Sequence, residues 1–79
     1  MQMSDAYRAG KYHAEAGLPS NLDFYTPHTF AWFDYLEGLR AGHNEVYWSE
    51  HRHGDPLKAK VALAMRESVK EILEKAGRK

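Results

Sequence analysis

Thr26-Pro27-His28-Thr29-Phe30-Ala31-Trp32-Phe33-Asp34-Tyr35-Leu36-Glu37-Gly38-Leu39-Arg40-Ala41-Gly42-His43-Asn44-Glu45-Val46-Tyr47-Trp48 is the stretch on which the fold turns. Thr26 has the hydroxyl of a helix cap, and Pro27 suits the first helical position, where its missing N–H costs nothing. At about 100° per residue, Trp32, Phe33, Tyr35, Leu36, Leu39, His43, Val46 and Tyr47 fall on one broad face. Asp34, Glu37, Ala41, Asn44, Glu45 and Arg52 lie opposite. The pattern predicts a helix over about 27–52, ended by Gly54. Gly38 and Gly42 each weaken it by about 1 kcal/mol relative to alanine, so a bend there is expected to be tolerated.

Downstream, Gly54-Asp55-Pro56 reads as breaker, cap and first-turn proline, opening a helix over about 56–76 before Gly77. Its apolar positions are Leu57, Val61, Ala64, Met65, Ser68, Val69, Ile72 and Leu73, with Leu63 outside the stripe. Glu71 with Lys75, and Glu74 with Arg78, have the spacing and order of favourable helical ion pairs. Upstream, Ser4 and Asp5 suit the start of a helix over about 4–16, which Gly17 and Pro19 end. Its inward stripe (Tyr7, Gly10, Ala14, Leu18) is light, and the small residues in it let another helix approach closely. Between these two helices runs a ten-residue loop, 18–27, whose Leu22, Phe24 and Tyr25 are too apolar for a free linker. The loop is expected to fold back over the helices. No segment alternates apolar and polar residues, so no sheet is predicted. The fold class is all-α: a small three-helix assembly forming one domain over 1–79.

Eleven basic residues balance eleven acidic ones, and there is no cysteine. Disulfides, thiolate nucleophiles and cysteine-ligated zinc are thereby excluded. Met1-Gln2-Met3-Ser4-Asp5 shows no basic region followed by an apolar one, and no apolar run approaches the roughly 20 residues that span a bilayer. A cytoplasmic protein without a membrane partner is expected. Overall neutrality argues against a uniformly basic nucleic-acid binder, although a local basic patch is compatible with it.

The chain holds five histidines. His51 and His53 diverge by about 200° on a continuing helix, whereas metal-binding pairs usually stand four apart. They read as a solvated helix end, favourable near the negative pole of the dipole, and no metal site is expected. His43 lies on the apolar face, where hydrogen bonding to a tyrosine hydroxyl or a carbonyl is expected; it is also the candidate pH-sensitive group. No serine stands in Gly-x-Ser-x-Gly, and phosphate loops, His-Glu-x-x-His and calcium loops are missing. The reading is a non-enzyme with no cofactor.

Aromatic side chains are the better functional candidates. Phe30 and Trp48 fall on the side of the central helix opposite its apolar face, as anchors for a protein partner or for stacking on bases. Tyr12, His13 and Tyr25 are candidates to extend that patch. Arg40 and Arg52 are further partner-binding candidates; with Arg8, Lys11, Lys58 and Lys60 they are scattered and form no evident stripe.

Ala6-Tyr7-Arg8-Ala9-Gly10, Ala16-Gly17, Tyr25 and Tyr35-Leu36-Glu37-Gly38-Leu39-Arg40-Ala41 together resemble the ribosome modulation factor family. That family pairs two helices through a loop. Its pattern has glycines seven apart in helix one, a Pro-aromatic pair in the loop, and Trp-x-x-Gly with a following alanine in helix two. Gly10 and Gly17 match, Tyr25 takes the aromatic place, and Tyr35 and Gly38 stand for Trp and Gly after a one-residue insertion. Phe24 replaces the loop proline, the chain is neutral where ribosome modulation factor is strongly basic, and helix three has no counterpart. The resemblance covers residues 6–41 and implies a two-helix scaffold that binds ribosomal RNA and silences or pairs ribosomes.

The expected function is therefore a small binding protein that docks on a larger protein or ribonucleoprotein complex and modulates it. A phage-type inhibitor of a host nucleoprotein enzyme, such as an anti-CRISPR, is the first alternative. A homodimer seamed by helix three is the second.

Overall fold

The computed structural model describes residues 4–77 and contains three helices: α1 (Asp5–Ala16), α2 (Phe30–His53) and α3 (Pro56–Lys75). Arg78, the expected partner of Glu74, lies outside the described residues. At α1, the Ser4 hydroxyl oxygen accepts the Tyr7 backbone N–H (3.2 Å) and its own proton goes to the Asp34 carboxylate (2.9 Å). The same side chain thus caps one helix and pins it to the next. Gly17 ends α1 at φ 70°, in the left-handed region that favours glycine.

The start of α2 differs from the expected Thr26 cap with Pro27 as first residue. Thr29 is the cap: its hydroxyl oxygen accepts the Trp32 N–H at 3.2 Å. His28, at φ 68°, cannot continue a right-handed helix, and residues 26–29 close a turn through the Thr29 hydroxyl and Thr26 carbonyl (2.7 Å). Two capping threonines stand three apart here, and the one flanked by left-handed backbone wins. From Phe30 the helix runs through Gly38 and Gly42 to His53. The break that follows is short. Glu50 Oε2 accepts the Asp55 N–H (2.7 Å), and Asp55 Oδ1 accepts the Leu57 N–H (2.9 Å) to cap α3.

Helix α2 is the shared element. Both α1 and α3 pack on it, while no Cα of α1 comes within 8 Å of one in α3. The α1–α2 crossing is made by glycines and alanines. A Cβ at Gly38 would drive into the Tyr7 carbonyl, and one at Gly42 would stand 2.6 Å from both the Ala14 Cβ and the Lys11 carbonyl oxygen. Ala6, Gly10 and Ala14 are correspondingly buried. Such an approach exchanges side-chain area for backbone-to-backbone contact, which is how so light a helix is held. The helix-weakening glycines therefore serve packing.

On the other flank, Val69 and Leu73 join Trp32, Tyr35, Leu36 and Leu39 in the core. Here the wheel reading of α3 needs correction. The side facing α2 carries Ala59, Ala62, Val69 and Leu73, whereas Leu57, Val61, Ala64, Met65, Ser68 and Ile72 are exposed. Val69 and Leu73 face inward as expected, but in the first half of α3 the short Ala59 and Ala62 pack on α2 and the larger Leu57, Val61 and Met65 are left outside. Leu63 is half-buried. The loop folds back as expected: after a single 3₁₀ turn at Leu22–Phe24, Leu22 and Tyr25 pack on the core, while Phe24 stays exposed. Among the described residues no helix is long and apolar enough to cross a membrane.

Candidate functional site

Tyr35 organises the inner end of the loop. Its residue surface is wholly buried, and its hydroxyl oxygen accepts the Asn21 backbone N–H (2.6 Å) beside His13 Nδ1 at 2.8 Å. With Asn21 donating, the phenol proton points at Nδ1, which accepts it when the imidazole is neutral. Burial pushes the Tyr35 hydroxyl's pKa above its ordinary value, with the Asn21 hydrogen bond opposing. Tyr25 leans on the same ring at 4.9 Å. His13 and Tyr25 are thus half-buried around Tyr35, with Tyr12 exposed at their edge, 6.0 Å from the His13 ring. They hold α1 and the loop to α2.

The histidine–tyrosine pair expected at His43 is made by His13 instead. The His43 ring makes no hydrogen bond with any described residue. It is half-buried in an open groove of about 900 Å³ between the end of α1 and the first half of α3. Val46, Leu57, Val61 and Met65 share that groove, with Glu15, Glu45, Glu50, Asp55 and Lys58 at its rim. Burial lowers the His43 pKa from its ordinary 6.5. Between that value and the lowered one, the unfolded chain binds a proton that the folded chain rejects. Stability due to neutral His43 is therefore present above pH 6.5 and is lost as pH falls toward the lowered pKa. The thermal midpoint should fall on acidification through this window, and His43→Leu should flatten the fall. An unchanged profile in that variant contradicts the assignment.

The outer surface of α2 ends in a cluster of rings and guanidinium groups. Trp48 is 45% exposed, with the Arg52 guanidinium 5.8 Å above its ring. Tyr47 stacks on His51 (5.5 Å, 17°) and meets Trp48 edge-on at 5.0 Å. From α3, Arg66 reaches across to place its guanidinium 5.2 Å from the Tyr47 ring, held by a hydrogen bond from Nη1 to Asn44 Oδ1 (2.7 Å). Each cation–π contact contributes about 0.5–1 kcal/mol at such exposure, enough to pre-orient the side chains. The helix continues through His53, so the His51 and His53 rings diverge. Among the described residues no three His, Asp or Glu side chains are grouped to hold a metal.

Trp48 and Arg52 are therefore brought together, and the cluster adds Tyr47, His51 and Arg66. Phe30, 85% exposed, lies five turns away at the other end of α2, about 27 Å along the axis, with His28 and Phe33 nearby. Arg40 is exposed on a polar depression with Tyr7, Glu37, Asn44, Arg66 and Lys70. Trp48 with Arg52 was legible from i,i+4 spacing. Arg66 was not, because only the α2–α3 packing brings it to Tyr47. Gly10 and Gly38 stand in the helix crossing, and Gly17 ends α1 in the left-handed conformation.

Comparison of the chain with known protein families, with curated proteins and with solved structures gives no match.

Proposed function

We propose that this chain is a non-catalytic binding protein that docks on a large ribonucleoprotein complex and modulates it, in the manner of a ribosome modulation factor. The observation that carries the reading is the ring and guanidinium cluster at the end of α2. Trp48 offers a face on which a base stacks, with Tyr47 supporting it edge-on, and Arg52 and Arg66 supply cations for phosphates. Arg52 and Arg66 thereby place two cations at one end of a chain that is neutral overall. Charge repulsion from a uniformly basic surface is avoided.

Binding to ribosomal particles at low salt, read by co-sedimentation, tests this. Wild-type protein should co-migrate, and added salt should release it progressively. Trp48→Ala should weaken binding about 30-fold, the effect of losing a hot spot of about 2 kcal/mol. Arg52→Ala should reduce both affinity and salt dependence. Absence of co-migration, or a Trp48→Ala chain that binds as well as wild type, overturns the reading. Enrichment of a single enzyme complex in its place would favour the inhibitor alternative.

A further inference from the structure

We propose that α3 pairs with the α3 of a second copy, antiparallel about a two-fold axis between Ala64 and Met65. The exposed stripe of α3 lies roughly 130° round the helix from the side packed on α2. Its large members are strongly exposed: Leu57 67%, Val61 53%, Met65 49% and Ile72 37%. A helix of this kind exposes such a row at a cost in solubility unless something covers it.

The order of residues specifies the occupant. The positions of the stripe, though not its residue types, are symmetric about the point between Ala64 and Met65. In an antiparallel pair, Leu57 meets Ile72 of the second copy, Val61 meets Ser68, and Ala64 meets Met65, each contact made twice as a two-fold axis requires. The small residues Ala64 and Ser68 fall opposite the larger Met65 and Val61, which allows close approach. Charge agrees. Beside the stripe, on one side, lie Lys60 in the first half and Glu67 and Glu71 in the second. Antiparallel pairing sets Lys60 between Glu67 and Glu71 of the second copy, on both ends of the seam. A parallel pairing would set this flank against the opposite flank of the second copy, so Lys60 and the two glutamates would not meet. Leu18, exposed beside Leu57 in the groove, widens the apolar area at each end. The apolar seam does not include Trp48, Tyr47 or Arg52, although Glu67 at its edge pairs with Arg66 of the same chain (3.6 Å), and the inference does not rest on the docking role proposed above.

The absence of cysteine makes cross-linking a clean test. Under oxidation, Leu57→Cys should cross-link to Ile72→Cys when the two chains are mixed, and neither should cross-link to itself. In sedimentation equilibrium, wild type should pass from monomer to dimer with rising concentration. Lys60→Glu should raise the dimer dissociation constant at least about tenfold, as should Glu67→Lys with Glu71→Lys. Mixing those two variants should restore wild-type association, because each repulsion becomes an attraction in the mixed pair. These are exposed surface positions, so folding is not at stake. A chain that stays monomeric at all concentrations, a Leu57-to-Leu57 cross-link, or failure of the mixed charge variants to associate overturns the proposal.

Discussion

Gly38→Ala lowers the thermal midpoint by about 10–20 °C, a loss of about 2–3 kcal/mol in a domain this small. The direction opposes helix propensity, since alanine is about 1 kcal/mol better than glycine inside a helix. Sterics decide it. The added methyl meets the Tyr7 carbonyl, with the Tyr7 carbonyl carbon at 2.9 Å and the Lys11 nitrogen at 3.0 Å. These are backbone atoms, so no rotamer change relieves the clash and α1 must move away bodily. Gly17→Ala is the informative control, because nothing lies within 4 Å of its Cβ and only the left-handed backbone (φ 70°) objects. That variant should lose about 1–2 kcal/mol. A Gly38→Ala protein at least as stable as wild type would mean that α1 does not cross α2 there.

Tyr35→Ala is expected to cost about 4 kcal/mol, in the range for deleting a buried ring. Small domains have little stability to spare, so this variant should be largely unfolded at ambient temperature. Tyr35→Phe separates the ring from its hydroxyl. It keeps the packing, leaves the Asn21 N–H and His13 Nδ1 without their partner, and should cost about 1–2 kcal/mol. Hydrogen exchange at the Asn21 amide should then accelerate more than exchange within α2. Equal losses from both substitutions would show that the ring contributes nothing, contrary to its complete burial.

The two smaller helices were legible from their ends. Ser4, Gly17 and the Gly54-Asp55-Pro56 break act through backbone hydrogen bonds and φ angles within a few residues, so local chemistry suffices to place them. Local chemistry is ambiguous where it repeats: Thr26 and Thr29 both qualify as caps, and only the left-handed His28 distinguishes them. The inward side of α3 was misread for another reason. A helical wheel weights large apolar residues, whereas packing on α2 rewards Ala59 and Ala62 because they let the axes approach. His13 was overlooked as the tyrosine partner because it sits at the end of a polar helix. His43 attracted that role by lying on an apolar face, yet its ring makes no hydrogen bond with any described residue. The ring and guanidinium cluster was half legible. Trp48 and Arg52 stand four apart on one helix, but Arg66 belongs to another element and arrives only through the fold.

Oxidative footprinting of the chain bound to ribosomal particles, read by mass spectrometry, addresses the docking role most directly. Trp48 and Tyr47 should become protected on binding, while Phe24 and Phe30 are modified as fast as in the free protein. Protection of Phe30 with Trp48 still open to attack, or no protection at any ring, would contradict the account.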